Sequence, residues 1–363
     1  MTWRIPNMVP EITDADRAAV QATLLDGYAC GGPVVQQLEE RFAELVGVAH
    51  AVAVSSGTAA LWLAMKGCLV GSDTYLCTSD MTFMATAAPA EHLGAEVQLA
   101  DCTDKTWQLD LNCLPDRPLH VLVLPHLWGG MAREDLAVAD CRRRGAFLVV
   151  DACQALGATL HGQQPGSWAD VACWSFNGNK LVTGGGGGML TTNDREIAAS
   201  ARYLANQAKD DGSRWVHHQA GWNFRMSAMQ AALALSQLSR WGEYVKAKWE
   251  LHQRYLNAFE STPLSPRDIT PEVSPSMWAS TWLLDGETER LIGGLRAAGI
   301  EARRPFAPLS WQPPFHDCSL GQLDTTVHQA EHVHTHGVLL PCSVGLTNDD
   351  QNLVIEAVKE ALQ

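Results

Sequence analysis

A lysine beside a run of glycines is the strongest chemical signal in the 363-residue sequence. The segment Asp170–Met189, DVACWSFNGNKLVTGGGGGM, predicts a buried strand ending at Ser175, a turn, Lys180 and then the five glycines 184–188. Such a run lets the backbone approach a ligand closely, and ligands bind past the C-terminal ends of parallel strands. The lysine could hold a phosphate or form an imine with a carbonyl cofactor. A surface lysine before a flexible loop is the alternative.

An aspartate at the end of another predicted strand is a second candidate. Asp151 closes the apolar run AFLVVD, and a carboxylate buried there is unfavourable unless a positive group pairs with it. A protonated pyridine nitrogen is one such group, and the carboxylate would keep it protonated and electron-withdrawing. The alternative is a helix N-cap, because the chain continues into ALGA (155–158), for which we predict a helix.

Two further polar segments precede predicted helices. Ser56, Gly57 and Thr58 stand between a strand and a helix, where free N–H groups and a hydroxyl can form an anion pocket. Ordinary helix capping would explain this segment if it stood alone. The second segment, GWNFRMS at 221–227, groups aromatic, amide and arginine side chains, and it suits a structural corner as well as a binding site.

Composition and charge exclude several classes of protein. A net charge of −14 is unsuited to sequence-independent binding of nucleic acid, although a small anion needs only a local pocket. No apolar run approaches the ~18 residues of a membrane span, and the N-terminus lacks the apolar core of a signal peptide. The ten cysteines form no CxxC pair, which is typical of reduced thiols. We therefore expect a cytoplasmic protein that binds neither nucleic acid nor membrane.

Four histidines in HQAEHVHTH could suggest a metal site. They are His328, His332, His334 and His336. The stretch lacks the HExxH pattern and predicts a helix running into GVLLP, so we predict no metal here.

The elements that must position these residues alternate between helices and strands. Helices are predicted over 13–26, with Thr13 or Asp14 as N-cap, and over 34–46. Strands are predicted at 51–56, 75–78, 96–100, 120–125, 146–151, 171–176 and 187–192. Because these apolar strands lack polar alternation, they predict an α/β fold with a mostly parallel central sheet and helices on both faces.

The later part of the chain predicts a second, smaller domain. Residues 226–257 have helical patterns, and the stretch 262–277 is rich in proline and serine. Strand-like residues (SMWASTWLLD) follow, with helices predicted at 287–298 and 349–362. We predict a large α/β domain over 1–240, including the N-terminal segment, and a smaller C-terminal α+β domain over 241–363.

Taken together, these segments resemble the DegT/DnrJ/StrS family of pyridoxal-phosphate (PLP)-dependent sugar aminotransferases. The similarity extends over nearly the whole chain. The segments that carry it are GGPVVQQLEERFAELVGVAHAVAVSSGTAALWLAM, DMTFMATAAPAEHLGA, VLPHLWG, VVDACQALGA, SFNGNKLVTGGGGGML, GWNFRMSAMQAALALSQL, IEARRPFAPLSWQPPF and LLPCSVGLTNDD. The resemblance implies the fold-type I transferase architecture, PLP bound by the large domain, and a homodimer with shared active sites.

The resemblance also implies roles for the residues around the ring of PLP. Lys180 matches the lysine that forms a Schiff base with PLP, and Asp151 matches the carboxylate on the pyridine nitrogen. Gln154 matches a residue that contacts the phenolic side of the ring. Phe83 matches the aromatic residue stacked on the ring.

A second group of matching residues surrounds the phosphate of PLP. Gly57, Thr58 and Ser175 match phosphate contacts in the same subunit. Asn223 matches the asparagine that reaches the phosphate from the partner subunit.

The sequence departs from the family pattern at two positions near these residues. Val150 stands where the family often has glutamate, and Trp222 stands where it usually has tyrosine. Neither change touches the imine chemistry. Relatives with histidine in place of the lysine are dehydratases, and Lys180 argues against that reaction.

The branch of the family that the sequence resembles indicates the substrate. The glycine-run segment, DKTWQLD (104–110) and LANQAKDDGSRWVHHQAGWNFRMS (204–227) are similar to enzymes acting on nucleotide-linked 4-keto-6-deoxy-hexoses. UDP-linked 4-amino sugars of the bacillosamine and legionaminic acid type are favoured as products, for surface polysaccharide or glycan biosynthesis. The alternatives are a GDP-perosamine-type 4-aminotransferase and a 3-keto-sugar aminotransferase.

The mechanism that the resemblance implies uses one site for two half-reactions. L-glutamate is the expected amino donor, and Lys180 moves the proton as general acid and base while Asp151 keeps the pyridine nitrogen charged. Ping-pong kinetics are expected. The non-enzyme alternative is a regulatory protein that keeps the aminotransferase fold, and retention of the lysine, the aspartate and the phosphate residues argues against it.

Overall fold

Helices and strands alternate up to about residue 192, and three helices follow in succession. The computed structural model describes residues 3–27, 29–210, 214–270, 272–318 and 328–363. The helices in these ranges are α1 (Asp14–Leu25), α2 (Pro33–Val46), α3 (Gly57–Gly67), α4 (Ala88–His92), α5 (Glu134–Arg144), α6 (Arg195–Ala205), α7 (Ala228–Leu238), α8 (Trp241–Phe259), α9 (Thr288–Ala297), α10 (Gln329–His336) and α11 (Asn348–Ala361). The strands are β1 (His50–Val54), β2 (Tyr75–Ser79), β3 (Glu96–Ala100), β4 (Val121–Pro125), β5 (Phe147–Asp151), β6 (Thr159–Leu160), β7 (Val171–Ser175), β8 (Gly188–Thr192), β9 (Leu264–Pro266), β10 (Val273–Ser274), β11 (Ser280–Leu284) and β12 (Gly337–Leu340).

A seven-stranded sheet forms the centre of the fold, in the order β1-β8-β7-β5-β4-β2-β3. Strands β7, β5, β4, β2 and β3 are parallel to their neighbours, whereas β8 is antiparallel to both β1 and β7. A parallel neighbour needs a crossover connection, and the chain between β7 and β8 contains no helix that could supply one. The predicted α/β fold with a mostly parallel sheet is confirmed.

The strands fill two cores, one on each face of the sheet. Val121 and Val123 of β4 pack in a core with residues of α3, α4 and α6. Leu122 and Leu124 pack in the opposite core with residues of α2, α5 and α7. Successive side chains of a strand point to opposite faces, so the continuous apolar run VLVL serves both cores. The predicted helices on both faces are therefore present.

The C-terminal part has its own core. Strands β9, β11 and β12 form a small antiparallel sheet, and residues of α8, α9 and α11 pack with its strands. Ile5, from the segment that we assigned to the large domain, packs in this core and pairs with Ile300. Helix α8 begins at Trp241, the first residue of the predicted small domain. The division into two domains stays a prediction.

Within the described residues, every helix is too short or too polar to cross a bilayer.

Candidate active site

The carboxyl ends of two strands meet the start of a helix at one cavity of about 530 Å³. Asp151 is the last residue of β5 and Ser175 is the last residue of β7. These parallel strands are neighbours in the sheet, so their ends lie at the same edge. Seven of the eight predicted site residues line this cavity: Gly57, Thr58, Phe83, Asp151, Gln154, Ser175 and Lys180.

The eighth predicted residue, Asn223, lies outside the cavity of its own chain. Its side chain is exposed, and its Oδ1 accepts a hydrogen bond of 3.2 Å from Nε of Arg225. Asn223 also makes an isolated β-bridge with Asn206. A role in the site of a second subunit is compatible with this exposure and stays a prediction.

Asp151 is a buried carboxylate held by neutral donors. The residue is 7% exposed. Its Oδ2 accepts a bond of 2.7 Å from the hydroxyl of Thr86, and its Oδ1 accepts one of 3.1 Å from the amide of Cys153. Among the described residues, no arginine, lysine or histidine lies within ion-pair distance of it. A buried carboxylate without a cation is unfavourable, so the cavity offers a place for a positively charged ligand group.

The helix-cap alternative for Asp151 is wrong, because no helix follows it. Residues 153–158 form turns that lead to β6. Gly157 has φ of +83°, and this left-handed conformation does not belong to a right-handed helix. The helix predicted at 155–158 is therefore wrong, because the prediction used local composition alone.

The N-terminus of α3 lines one end of the cavity, and this end is suited to binding an anion. Ser56 is the N-cap, and its hydroxyl accepts a bond of 3.0 Å from the amide of Ala59. The amides of Gly57 and Thr58 have no acceptor within the helix, and the helix dipole favours a negative charge there. Ser175 is close to this turn, since a Cβ on Gly57 would lie 3.0 Å from Cβ of Ser175, and both residues line the cavity.

The glycine run packs against this same turn. A Cβ on Gly188 would lie 2.4 Å from the carbonyl carbon of Ser56, and Gly187 has φ of +102°. Gly186 and Gly187 also line the cavity. The glycine run therefore allows the backbone to pack closely against the start of α3, and it also forms part of the cavity lining.

Lys180 lies in the turn after β7, where its amide donates to the carbonyl of Asn177 at 3.0 Å. Its side chain is partly buried and lines the cavity. Burial lowers the pKa of Lys180 below its usual range, although the nearby Cys153 and Asp151 oppose this effect. A larger share of the amine is therefore uncharged near neutral pH than in an exposed lysine, which suits a nucleophile.

Several residues of the cavity were missed by the sequence analysis. They are aromatic or cationic and include Trp128, Trp278, Arg303, Arg304 and Phe306. The rings of Trp128 and Phe306 stack with centroids 4.6 Å apart. The dipeptide Arg303-Arg304 beside an aromatic residue was a signal for an anion site, but nothing in the sequence placed it next to Lys180.

Trp128 and Gln154 carry hydrogen-bond donors that have no partner among the described residues. The Oε1 of Gln154 accepts a bond of 2.9 Å from the amide of Trp128, which leaves the amide nitrogen of this cavity-lining side chain as a donor. The indole N–H of Trp128 is buried and has no hydrogen-bond partner among the described residues. Trp128 also has φ of +59°, a strained conformation for a bulky residue.

The histidine-rich stretch takes part in ion pairs. His328 lies 3.0 Å from Asp80 and 3.4 Å from Glu331, while His332 and His336 lie together on α10 with ring centroids 4.3 Å apart. In the ranges that the structure covers, no three His, Cys, Asp or Glu side chains form a group suited to a metal ion.

A cavity at the carboxyl edge of a mostly parallel α/β sheet is the usual ligand site of this fold class. The chain belongs to the DegT/DnrJ/EryC1/StrS aminotransferase family, whose model matches residues 10–359. This finding confirms the resemblance identified in the sequence. Aminotransferases of this family and fold depend on PLP.

Individual relatives agree with this membership. The chain is 32% identical to GDP-perosamine synthase of Caulobacter vibrioides over 97% of this chain and 100% of the relative. It is 33% identical to EpsN of Bacillus subtilis, named as a candidate pyridoxal phosphate-dependent aminotransferase, over 90% and 87% of the two chains. The crystal structure of the aminotransferase TlmJ from Streptoalloteichus hindustanus superposes with a TM-score of 0.92 at 25% identity, covering 99% and 98%.

Proposed function

We propose that this protein is a PLP-dependent sugar aminotransferase that moves an amino group from L-glutamate to a nucleotide-linked 4-keto-6-deoxy-hexose. The observation that carries the proposal is the buried carboxylate of Asp151, which shares a cavity with the amine of Lys180. In the described ranges, no cationic side chain lies within ion-pair distance of this carboxylate. A ligand that brings both a positive ring nitrogen and an aldehyde satisfies these two groups at once.

The residues of the cavity fit PLP in character. The amides of Gly57 and Thr58 and the hydroxyl of Ser175 would hold the phosphate at the start of α3. Asp151 would pair with the pyridine nitrogen and Gln154 would donate to the phenolic oxygen. Phe83, which is 54% exposed, would cover one face of the ring.

The chemistry divides between the cofactor and the chain. Bound PLP supplies an electron-withdrawing ring and an aldehyde that binds amines. The chain supplies Asp151, whose negative charge keeps the ring nitrogen protonated, and Lys180, which takes a proton from the substrate carbon and returns it. Its lowered pKa favours the uncharged amine that accepts the proton.

The charge and aromatic character of the cavity support an anionic substrate. Arg303 and Arg304 line the cavity in a chain of net charge −14, and they suit the diphosphate of a nucleotide sugar or the carboxylates of the donor. The unpartnered indole N–H of Trp128 suits a sugar or carboxylate oxygen. UDP-linked sugars of the bacillosamine or legionaminic type are favoured, whereas the relative named GDP-perosamine synthase supports a GDP-linked substrate.

A homodimer with shared sites completes the proposal. Asn223 is exposed in the single chain, and in a symmetric dimer the same surface of each subunit could reach the site of the other. We propose that Asn223 contacts the phosphate of PLP in the partner subunit.

A substrate panel tests the proposed function. Purified protein with PLP and L-glutamate is given UDP- and GDP-linked 4-keto-6-deoxy sugars and 3-keto sugars, and amino-sugar formation is followed by mass spectrometry. Conversion of a 4-keto sugar supports the proposal, and the preferred nucleotide decides between the UDP and GDP alternatives. Conversion of 3-keto sugars alone would overturn the 4-keto assignment. No conversion by protein that binds PLP would favour the regulatory alternative.

A further inference from the structure

Trp278 contacts the lysine directly, and the proposed function gives it no role. The Nζ of Lys180 lies 4.3 Å from the centroid of the Trp278 ring. Among the described residues, Lys180 has no carboxylate within ion-pair distance. The negative face of the indole is therefore the group that offers attraction to the lysine ammonium at contact distance.

Three contacts fix the indole in this position. Its Nε1 donates a bond of 2.8 Å to the carbonyl of Asn179, the residue before Lys180. Its ring is nearly parallel to that of Trp128, at 15° and 6.3 Å between centroids. The backbone of Trp278 also lies so close to Gly129 that a Cβ there would be 2.3 Å from its nitrogen. Trp278 is 4% exposed, so the indole side of the contact is buried, whereas Lys180 is half-buried.

We propose that Trp278 is a positioning residue that holds the Lys180 ammonium in place after the amine has taken a proton from the substrate and until that proton is returned. The inference rests on the proposed function, because a lysine that is released and rebonded in every turnover needs a fixed resting place. Held on the ring, the ammonium stays beside the reacting atoms and keeps the proton that it must return.

Two opposing effects act on the charge of Lys180. Burial disfavours the ammonium, and this effect lowers the pKa of Lys180. The ring face favours the ammonium and opposes that decrease. Other groups that face the lysine are the thiol of Cys153 and the carboxylate of Asp151.

Other ionisable residues line two cavities that Lys180 also lines. Arg303 and Arg304 line the same cavity. Glu11, Tyr244 and Lys248 line a small cavity on another side of Lys180. Lys248 donates to the backbone carbonyl of Trp278 and the indole donates to Asn179. Replacing the side chain therefore removes no hydrogen bond to these charged groups, and a comparison of variants measures the contribution of the ring.

The pKa of Lys180 in the cofactor-free full-length protein tests the proposal. Each sample is labelled with limiting acetic anhydride across a range of pH, and mass spectrometry of the Lys180 peptide gives the midpoint of its labelling curve. The variants are Trp278→Leu, which removes the ring, and Trp278→Phe, which keeps a weaker one. Trp249→Leu, an exposed tryptophan of α8, is the control, and the remaining lysines are internal standards.

The sign of the change decides the outcome. The proposal expects the pKa of Lys180 to fall by roughly 0.5 to 1.5 in Trp278→Leu, by less in Trp278→Phe, and to stay unchanged in Trp249→Leu. If the ring only excludes water, Trp278→Leu hydrates the ammonium and the pKa rises. A rise, or no change, would overturn the proposal. If Trp278→Leu does not fold, the comparison of Trp278→Phe with the native chain decides in the same way.

The test separates this inference from the proposed function. An unchanged pKa of Lys180 in protein that binds PLP through this lysine would refute the role of Trp278 alone. A native protein that forms no bond with PLP would refute the proposed function, and the labelling curves would still measure the contact between ring and lysine.

Discussion

The hydroxyl of Thr86 donates a 2.7 Å hydrogen bond to Oδ2 of Asp151, and the amide of Cys153 donates to its Oδ1. In the part of the chain that the structure describes, no cationic side chain lies within ion-pair distance of this carboxylate. The arrangement orients the carboxylate but does not neutralise it. In a chain of the aminotransferase family, this is the property expected of a group that awaits a protonated ring nitrogen. Under the proposed function, these neutral donors would orient the carboxylate toward the positive charge of the ring nitrogen.

Replacing Asp151 with asparagine tests this interpretation. Asp151→Asn should still bind PLP but should lose two to three powers of ten in rate, roughly 3 to 4 kcal/mol in barrier, because an amide does not keep the ring nitrogen protonated. Thr86→Val is the matched control, since it removes a donor and keeps the charge, and it should lose much less. Single-turnover rates with L-glutamate measure both. A rate for Asp151→Asn within a few-fold of the native rate would contradict the role of the carboxylate.

Arg303 should contribute to substrate binding more than to the chemical step. Its Nε donates to Glu301 at 2.9 Å, and its side chain lines the cavity and is partly exposed. Arg303→Ala should raise KM for the nucleotide sugar or the donor about 10- to 100-fold with little change in kcat, the usual worth of a charge-assisted hydrogen bond. Arg296→Ala on α9 is the control for loss of an exposed arginine. Unchanged KM values for both substrates would exclude Arg303 from the site.

Mixed dimers test whether Asn223 completes the site of the partner. Lys180→Ala and Asn223→Trp should each be inactive as pure proteins. In a heterodimer one site collects both defects and the other collects none, so up to half of the native activity per heterodimer should return. Subunit exchange is verified with two different affinity tags. Verified exchange without recovery, or a fully active monomer, would refute the shared site.

His328 should stabilise the protein in a pH-dependent way. Its side chain is 11% exposed and lies 3.0 Å from Asp80 and 3.7 Å from Asp101. Burial alone would lower its pKa, but the two carboxylates prevail and raise the pKa of His328 to about 9. Because this pKa is higher in the folded than in the unfolded chain, the stabilisation is complete below about pH 6.5 and is lost as the pH rises through 9.

The stability of the variant His328→Gln at two pH values tests this prediction. At pH 6, His328→Gln should lower the free energy of unfolding by about 2 kcal/mol, and at pH 10 the difference should largely disappear. His332→Gln, in the helix that follows His328, is the control. Burial and the neighbouring His336 lower the pKa of His332, and among the residues that the structure describes no carboxylate forms an ion pair with it. Urea unfolding at the two pH values gives the comparison. An equal effect of His328→Gln at both values would exclude the ion pair as its cause.

The sequence predicted the strands whose ends form the site. It did not predict the aromatic and arginine side chains that line the rest of the cavity. Strands β5 and β7 were readable because their apolar runs end in Asp151 and Ser175, and parallel topology then brings those ends together. The positions of Trp278 and Arg303 in the cavity could not be predicted from the sequence. Both residues lie in irregular segments, and only tertiary packing brings them close to Lys180.

Local patterns failed where tertiary packing prevailed. Residues 155–158 have helical composition, yet Gly157 adopts a left-handed φ and lies against the side chains of Trp241 and Val245 of α8. Strand β8 resembles its parallel neighbours in sequence, but it pairs antiparallel because the glycine run returns the chain beside β7 without a crossover helix. The short connection with its glycine run was a sequence signal for the antiparallel pairing of β8, whereas the local pattern at 155–158 favoured a helix.

The most direct test of the account is to locate the bond between PLP and the chain. Protein incubated with PLP is reduced with borohydride, digested, and its peptides are analysed by mass spectrometry. The account predicts one phosphopyridoxyl group per subunit, on Lys180, and none in Lys180→Ala or Lys180→Arg folded to the same degree. A group on a different lysine, or equal labelling of Lys180→Ala, would contradict it.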